Sequence, residues 1–245
     1  MVSHEVADIP RIAFNIALSL PLLKPLHQAV VCDVGGGIGL FSVGCAAVGF
    51  GLVILVDDFG DQINQTVGDS VLGIHRSYGV RVVSRDVVAR GLGDLDERLD
   101  VVTSFDSMEH WHRSPKQLFR ELVCAMNPGG RFVLGVPNCV NLRKRLTVPF
   151  GRGKWSAMKD WYEPEVFRGH IREPDVQDLW YIAGDLGLED VRVLGCNWLG
   201  RQSGSRLVRG LAAVLDPLMR VRPSLCSNLY LVGTKPDGPS QPVGA

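Results

Sequence analysis

Short apolar runs alternate with longer amphipathic stretches along most of the chain. The runs are rich in β-branched residues and have no polar side, which is typical of strands buried on both faces of a parallel sheet. This alternation predicts an α/β fold with a doubly wound, mostly parallel sheet, with helices on both faces. The predicted strands lie at residues 29–34, 51–59, 80–87, 99–105, 131–138, 188–196 and 225–235.

Helices are predicted between the strands, and two of them begin with cap signals. Ser114, Pro115 and Gln117 have the spacing of a capping box that opens a helix. Asp175 begins a later helix, which Gly187 ends. The predicted helices cover residues 9–28 (broken at Pro21 and Pro25), 41–48, 63–78, 115–126, 174–187 and 203–220.

The first strand ends in an acid, Asp33, and a glycine turn formed by Gly35, Gly36 and Gly37. Glycine permits a tight turn, brings backbone N–H groups close to a ligand and places no Cβ in the way. Open α/β sheets form their binding crevices at the carboxyl ends of strands. The turn is therefore predicted to bind a ligand.

A second acid follows the second strand. Asp57 lies eighteen residues after Gly39, close to the spacing at which an acid meets the ribose hydroxyls in nucleoside sites. A carboxylate accepts two hydrogen bonds from a vicinal diol. Asp57 or Asp58 could serve, and we favour Asp57 because Asp58 fits a helix cap or a solvated acid better.

Glycine spacing alone leaves two nucleoside cofactors open. The dinucleotide-binding motif G-x-G-x-x-G does not match from Gly35, because Leu40 stands where its third glycine should be. From Gly37 it matches as Gly37, Gly39 and Ser42, which is a tolerable variant. A short-chain dehydrogenase would also need a Tyr-x-x-x-Lys pair, and no tyrosine here has a lysine four residues later. An NAD(P)-dependent oxidoreductase therefore remains the weaker alternative.

The spacing D-x-G-x-G-x-G, formed by Asp33, Gly35, Gly37 and Gly39, resembles the first motif of the class I S-adenosylmethionine-dependent methyltransferases. The order DVV-S-x-x-x-x-E-H, helix, N-P-G-G, strand, P-N in residues 100–138 resembles their small-molecule and quinone O-methyltransferase branch. The resemblance covers residues 29–138, with a weaker similarity at 169–187. It implies a Rossmann-like seven-stranded sheet with an antiparallel last strand, and S-adenosylmethionine as cofactor.

The resemblance also implies roles for individual residues. The acid of the first motif would serve the amino group of the cofactor, beside the glycine turn. An acid after the third strand would accept from the adenine amine, with the next backbone N–H meeting the ring, although spacing alone fits a loop acid nearly as well. The expected cofactor set is Asp33, Gly35, Gly37, Gly39, Asp57, Asp86, Val87 and Phe105.

Methylation of a hydroxyl needs a base, and histidine titrates in the useful range. His110 follows the fourth strand, and His170 lies in a G-H-x-R segment that resembles one found before the corresponding helix in related enzymes. Either could be the catalytic base, and a structural histidine is an equally good interpretation of each. Asp106 and Glu109 could orient them. No cluster of carboxylates marks a divalent-metal site, so metal independence is expected.

Composition bounds the remaining possibilities. A chain of 245 residues with 46% hydrophobic residues suits one methyltransferase domain, predicted at residues 1–235, with a disordered tail at 236–245. The six cysteines contain no C-x-x-C pair, which indicates reduced thiols in a cytoplasmic protein. The net charge of zero gives no sign of a nucleic-acid partner.

Residues 139–172 form an insertion rich in aromatic and basic side chains. Residues 143–172 hold eight Lys and Arg against three acids, whereas residues 33–109 hold five Arg against twelve acids. Aromatic faces and cations suit a sugar, a phosphate-bearing or an aromatic substrate, so the insertion is predicted to be a substrate lid. A solvated loop whose aromatic residues pack on the core is the alternative.

The helix predicted at residues 203–220 is amphipathic and basic. It could lie on an anionic membrane surface, or its apolar face could pack on the sheet. Taken together, the sequence predicts a methyltransferase that acts on an oxygen of a small-molecule, sugar or lipid-linked acceptor. A non-catalytic cofactor-binding module is the alternative from another class.

Overall fold

The computed structural model describes residues 2–37, 39–59, 68–93, 95–153, 156–167, 169–198 and 204–238. Its centre is a seven-stranded sheet in the order β3-β2-β1-β4-β5-β7-β6. Strands β1 to β5 run parallel, and β7 is antiparallel to both β5 and β6, as predicted. The strands are β1 (Val30–Val34), β2 (Leu52–Asp57), β3 (Arg81–Ser84), β4 (Leu99–Phe105), β5 (Met126–Pro137), β6 (Glu189–Cys196) and β7 (Asn228–Thr234).

The order of the strands reverses at β1. From β1 the chain continues to β2 and β3 on one side, and β4 then pairs with β1 on the other side. Cys32 lies opposite Ile54 of β2 and Val102 of β4, so the carboxyl ends of the three strands are level. A crevice is expected at such a reversal, and the glycine turn lies there.

Helices cover both faces of the sheet. On one face, Ile12 and Ile16 of the first helix contact Gly44 of the second, whose Phe41 and Cys45 are buried. The other face buries apolar residues of the helices that follow β4 and precede β6. The helices are α1 (Val2–Leu18), α2 (Phe41–Val48), α3 (Gly68–Ser77), α4 (Val87–Arg90), α5 (Lys116–Ala125), α6 (Leu142–Thr147), α7 (Met158–Tyr162), α8 (Val176–Asp185) and α9 (Arg206–Arg220).

Several boundaries differ from the sequence prediction for local reasons. The third strand stops at Ser84, because Asp86 is the N-cap of α4 and accepts a hydrogen bond from the Ala89 N–H at 3.0 Å. The capping box predicted at Ser114 is not formed. Pro115 is the N-cap of α5, and the Gln117 side chain donates to Glu121 instead.

Other start signals are confirmed. Asp175 caps α8 in a full capping box, in which its carboxylate accepts from the Asp178 N–H and the Asp178 side chain accepts from the Asp175 N–H. The lead-in helix α1 starts seven residues earlier than predicted, at Val2, and ends at Leu18, before Pro21. Strand β5 begins at Met126, five residues before the predicted start at 131, and so includes the N-P-G-G segment.

Some predictions fall outside the described residues. These are the start of the helix predicted at 63–78, the end of the tail from residue 239, and Lys154, Trp155 and Arg168 of the 139–172 insertion. All six cysteines are free thiols. Among the described helices, none combines the length and the apolarity that crossing a bilayer requires.

Candidate active site

The glycine turn connects the tips of β1, β2 and β4. The Gly35 N–H donates to the Val56 carbonyl at 2.8 Å, and Gly35 and Gly37 have φ angles of 69° and 56°. A Cβ at Gly35 would overlap the side chain of Ser107, which follows β4. Glycine is needed here both for the positive φ and for the close approach of the two segments.

Asp57 lies at the tip of β2, beside the turn. Its Oδ2 accepts from the Gly37 N–H at 2.6 Å, and its Oδ1 accepts from the Asp58 N–H at 2.7 Å. A Cβ at Gly37 would lie 3.7 Å from Asp57 Oδ2, so a side chain there would fill the space beside the carboxylate. Asp57 is therefore held by backbone donors next to open space, which fits the predicted ribose contact.

Asp33 lies beneath the turn and is buried. Its Oδ2 accepts from Ser42 Oγ at 2.8 Å, and its Oδ1 accepts from Thr103 Oγ1 at 3.0 Å. Burial raises the pKa of Asp33 to about 6, against the opposing effect of these two hydrogen bonds. The carboxylate thus joins β1 to α2 and β4, and its role towards the amino group of the cofactor stays a prediction.

His75 supports the far end of the turn and is not among the predicted site residues. The ring is fully buried, with Nε2 3.0 Å from the Gly39 carbonyl and Nδ1 2.9 Å from the Val71 carbonyl. It therefore connects α3 to the last glycine of the motif. No motif spacing links a helix residue to a turn 36 positions earlier, so this contact cannot be predicted from the sequence.

The predicted adenine-side residues follow β3, next to Asp57. The Arg85 N–H donates to the Asp57 carbonyl at 2.8 Å, which holds this segment against the tip of β2. The Asp86 carboxylate already accepts one hydrogen bond as the N-cap of α4. Val87 is the first residue of α4, where the backbone N–H has no partner within the helix, while its side chain is buried in the core.

Phe105 ends β4 and packs among aromatic rings. Its ring centroid lies 4.9 Å from that of Phe41 and 6.2 Å from that of Tyr230. Both contacts are tilted or edge-on, as aromatic pairs prefer. The ring therefore forms an apolar wall where β4 leaves the sheet, and its contact with the cofactor stays a prediction.

The fold brings His110 and His170 together, although sixty positions separate them. Their ring centroids are 4.8 Å apart with an interplanar angle of 79°. The Ile171 N–H donates to the Glu109 carbonyl at 2.7 Å and so attaches the end of the 139–172 insertion to the segment after β4. Asp106 pairs with Arg11 of α1 rather than with either histidine in the hydrogen bonds that the structure describes.

Two carboxylates adjoin these histidines. Glu109 is only 1% exposed, and burial raises its pKa to about 8. Glu173 Oε1 lies 2.6 Å from His170 Nδ1, and Glu173 also pairs with Lys144. The hydrogen bond to Glu173 raises the pKa of His170.

A cavity of about 530 Å³ lies against His170. Most of its lining is apolar or aromatic, and it lies between the segment after β4 and the 139–172 insertion. This is the form that a small-molecule site commonly has. Its lining residues are His112, Ser156, Met158, Trp161, Phe167, His170 and Ile171.

The chain resembles proteins of known family over most of its length. A family model described as a methyltransferase domain matches residues 11–193. No curated protein matches the sequence.

Solved structures share the fold at low sequence identity. An S-adenosylmethionine-dependent methyltransferase from Thermotoga maritima is 14% identical with a TM-score of 0.55, and the match covers 95% of this chain and 89% of that one. One from Archaeoglobus fulgidus is 19% identical with a TM-score of 0.54, and the match covers 92% of each chain. Phosphoethanolamine N-methyltransferase 2 of Haemonchus contortus, solved with S-adenosyl-L-methionine, gives 16% and 0.59, and the match covers 93% of this chain and 53% of that one.

The crevice at the strand reversal, the glycine turn and Asp57 fit the nucleoside cofactor that these proteins use. The extent of the family match, three quarters of the chain, adds to this geometry. The chain therefore belongs to the methyltransferase-domain family and is an S-adenosylmethionine-dependent methyltransferase.

Proposed function

We propose that this methyltransferase methylates a hydroxyl group of a small or lipid-linked acceptor, which binds in the cavity beneath the 139–172 insertion. The observation that carries the proposal is the position of His170. His170 lines the cavity and its ring also lies against that of His110. His110 belongs to the segment after β4, in which the Ser107 side chain lies close to Gly35 of the glycine turn. The acceptor and the cofactor would thus meet at the histidines.

The residues proposed to hold the cofactor form a row along the strand tips. Backbone N–H groups of the glycine turn would face its methionine end, Asp57 its ribose, and the Val87 N–H its adenine ring. When bound, S-adenosylmethionine supplies an electrophilic methyl group on a sulfonium. Because the positive charge of the sulfonium disappears during transfer, an apolar cavity wall favours the reaction.

A histidine next to the acceptor would remove the proton of the hydroxyl. When His170 is neutral, Glu173 fixes a proton on Nδ1, which leaves Nε2 free to accept one. His110, 4.8 Å away between ring centroids, is the other candidate. An acceptor bound between Trp161 and Phe167 would place a ring or an alkyl chain against aromatic faces.

The cofactor site is tested by exchanging one of two adjacent acids. We expect Asp57→Asn to weaken S-adenosylhomocysteine binding at least about tenfold, because a charge-assisted hydrogen bond contributes about 1.5–3 kcal/mol. Asp58→Asn is the matched control and should bind within about twofold of the native protein. Isothermal titration calorimetry gives both dissociation constants.

The acceptor is tested by a panel of hydroxylated aromatic, sugar and prenylated compounds, with S-adenosylhomocysteine release as the readout. We expect turnover with a hydroxyl acceptor and a loss of at least about a hundredfold in His170→Gln, the size of a general-base contribution. Turnover restricted to amines would contradict the proposal of oxygen methylation. Tight cofactor binding with no turnover on any acceptor would favour the non-catalytic module.

A specific observation supports the lipid-linked class of acceptor. The apolar stripe of α9 points away from the sheet, so that Leu207, Val214 and Leu218 are exposed, and Asp216 on the opposite side is buried. Arg206 and Arg222 are exposed at the two ends of this stripe. We propose that α9 rests on a membrane surface containing anionic lipid, with the stripe among the acyl chains and the arginines among the headgroups.

A further inference from the structure

Three side chains next to the cavity are arranged like the ligands of a metal ion. One ligand atom each from Glu109, His110 and His170 lies within 4.8 Å of the other two. His170 Nε2 and Glu109 Oε1 are 4.0 Å apart. Three ligands around Zn²⁺ at about 2.0–2.2 Å would be about 3.4 Å apart, so closure of the site requires side-chain movements of about 1 Å or less.

The carboxylate of Glu109 is the strongest reason to expect a cation here. The side chain is 1% exposed, and neither oxygen has a hydrogen-bond partner among the described residues. A buried polar group without a partner costs free energy, and a buried charge costs more. Buried charges are commonly found paired or bound to metals, and an imidazole nitrogen of His110 and one of His170 each lie within 4.8 Å of the Glu109 carboxylate.

Glu173 gives His170 the orientation of a metal ligand. It accepts from Nδ1–H at 2.6 Å, so the lone pair of the neutral ring is on Nε2, which is the atom nearer Glu109. Metal-bound histidines almost always have such a carboxylate or carbonyl partner on the other nitrogen. Lys144 in turn pairs with Glu173 and holds it in place.

We propose that Glu109, His110 and His170 bind one divalent transition-metal ion of the Zn²⁺ class at the wall of the acceptor cavity. Two imidazoles and one carboxylate favour zinc, cobalt, manganese or iron over Mg²⁺ and Ca²⁺, which prefer oxygen ligands. Three protein ligands leave a position open towards the cavity, as in catalytic rather than structural zinc sites. Metal independence was expected because no cluster of carboxylates is present, whereas these ligands are one carboxylate and two imidazoles from segments sixty positions apart.

The role of the ion rests on the proposed function. At the open position, the acceptor hydroxyl would bind the ion and lose its proton more easily. The O–H bond breaks and the proton passes to solvent. The new C–O bond forms as the S–CH₃ bond breaks. The electron pair of the broken S–CH₃ bond stays on sulfur, which leaves as a neutral thioether. The ion would thus replace a histidine base.

Metal binding is tested with the metal-free full-length protein and Co²⁺, whose visible absorption reports its ligands. We expect one Co²⁺ per chain, and competition by Zn²⁺ but not by Mg²⁺. Glu109→Gln and His170→Gln should each weaken binding at least about a hundredfold, whereas Glu173→Gln should weaken it about 10–100-fold. His27→Gln is the matched control because His27 lies far from the cluster, and it should bind like the native protein.

Circular dichroism spectra of the variants show whether they fold. Native-like variants that bind Co²⁺ as tightly as the unaltered chain, or an unaltered chain that gives no saturable spectrum, would overturn the metal site. Saturable binding lost in the Glu109 and His170 variants would support it, even if the acceptor panel gives no methylation. Chelator-resistant methylation with no Co²⁺ binding would instead support the histidine base and leave the proposed function standing.

Discussion

Asp33 keeps a carboxyl group in the buried space beneath the glycine turn, and its titration affects stability. Burial raises its pKa to about 6 in the folded chain, against about 3.9 in an unfolded one. The fold therefore favours the neutral form. The contribution of Asp33 to the free energy of unfolding therefore falls as the pH rises from about 4 through about 6. At pH 8 the full cost of burying its charged carboxylate is present.

The Asp33→Asn variant removes this penalty while it keeps a side chain of the same size. We expect its free energy of unfolding at pH 8 to exceed that of the native protein by about 1–3 kcal/mol, and the gain to shrink towards pH 4. Urea unfolding without cofactor at both pH values measures the difference. A variant less stable than the native protein at pH 8 would show that the hydrogen bonds with Ser42 and Thr103 outweigh the burial of charge.

At the residue scale, the sequence predicts positions better than it predicts contacts. Asp57 and Asp86 lie at strand tips as expected, because strand ends can be read from apolar runs. The cap that Asp86 forms and the ring of His75 under the turn depend on packing between distant segments. The unpaired Glu109 carboxylate is likewise visible only once β4 and the 139–172 insertion are brought together.

The glycine turn needs glycine both for its positive φ and for the close approach of Ser107, and a pair of variants can separate these two requirements. Gly35 and Gly79 both have a positive φ, at 69° and 79°, but only Gly35 has a neighbouring side chain where a Cβ would lie. We expect Gly79→Ala to lose about 1–2 kcal/mol of stability through its backbone alone. Gly35→Ala should lose about 1–3 kcal/mol more, because its methyl group overlaps Ser107.

The same pair separates stability from binding. The Gly35→Ala variant should also lose measurable affinity for S-adenosylhomocysteine, whereas Gly79→Ala should keep it. Thermal unfolding and calorimetric titration of the two variants provide both values. Equal losses of stability and native affinity in both would contradict the close approach between the turn and the segment after β4.

At the element scale, the strands and their alternation with helices were predictable, because buried parallel strands are continuous apolar runs. Strand β4 and the cap of α8 agree with the prediction. The start of β5 at Met126 was missed, since the N-P-G-G turn signal is real: these four residues form an irregularity between Met126, which pairs with Leu99 of β4, and Arg131, which pairs with Val101. The antiparallel direction of β7 came from the family resemblance, and its position between β5 and β6 was not predicted.

At the scale of the whole molecule, α9 should determine whether the enzyme attaches to membranes. We expect the native protein to float with vesicles containing phosphatidylglycerol and not with phosphatidylcholine vesicles, and high salt should weaken the association. Leu207→Ser should reduce it severalfold, because burial of a leucine side chain contributes about 1.5–3 kcal/mol. Leu207 is 73% exposed, so its replacement should leave folding intact.

Leu23→Ser is the matched control, since Leu23 is 72% exposed but lies in the connection after α1. It should bind vesicles like the native protein. Equal loss in both variants would indicate general surface hydrophobicity, and no binding by the native protein would contradict the membrane contact.

The position of β7 between β5 and β6 constrains the order in which the sheet can form. Strand β6 pairs only with β7 in the sheet that the structure describes, and β7 also covers the edge of β5. During synthesis, a nascent chain from which β7 has not yet emerged has five strands that can pair, an open edge at β5 in addition to the edge at β3, and a β6 segment without its partner strand. The sheet can therefore be completed only after residues 228–234 have emerged, which prolongs the exposure of the β5 edge.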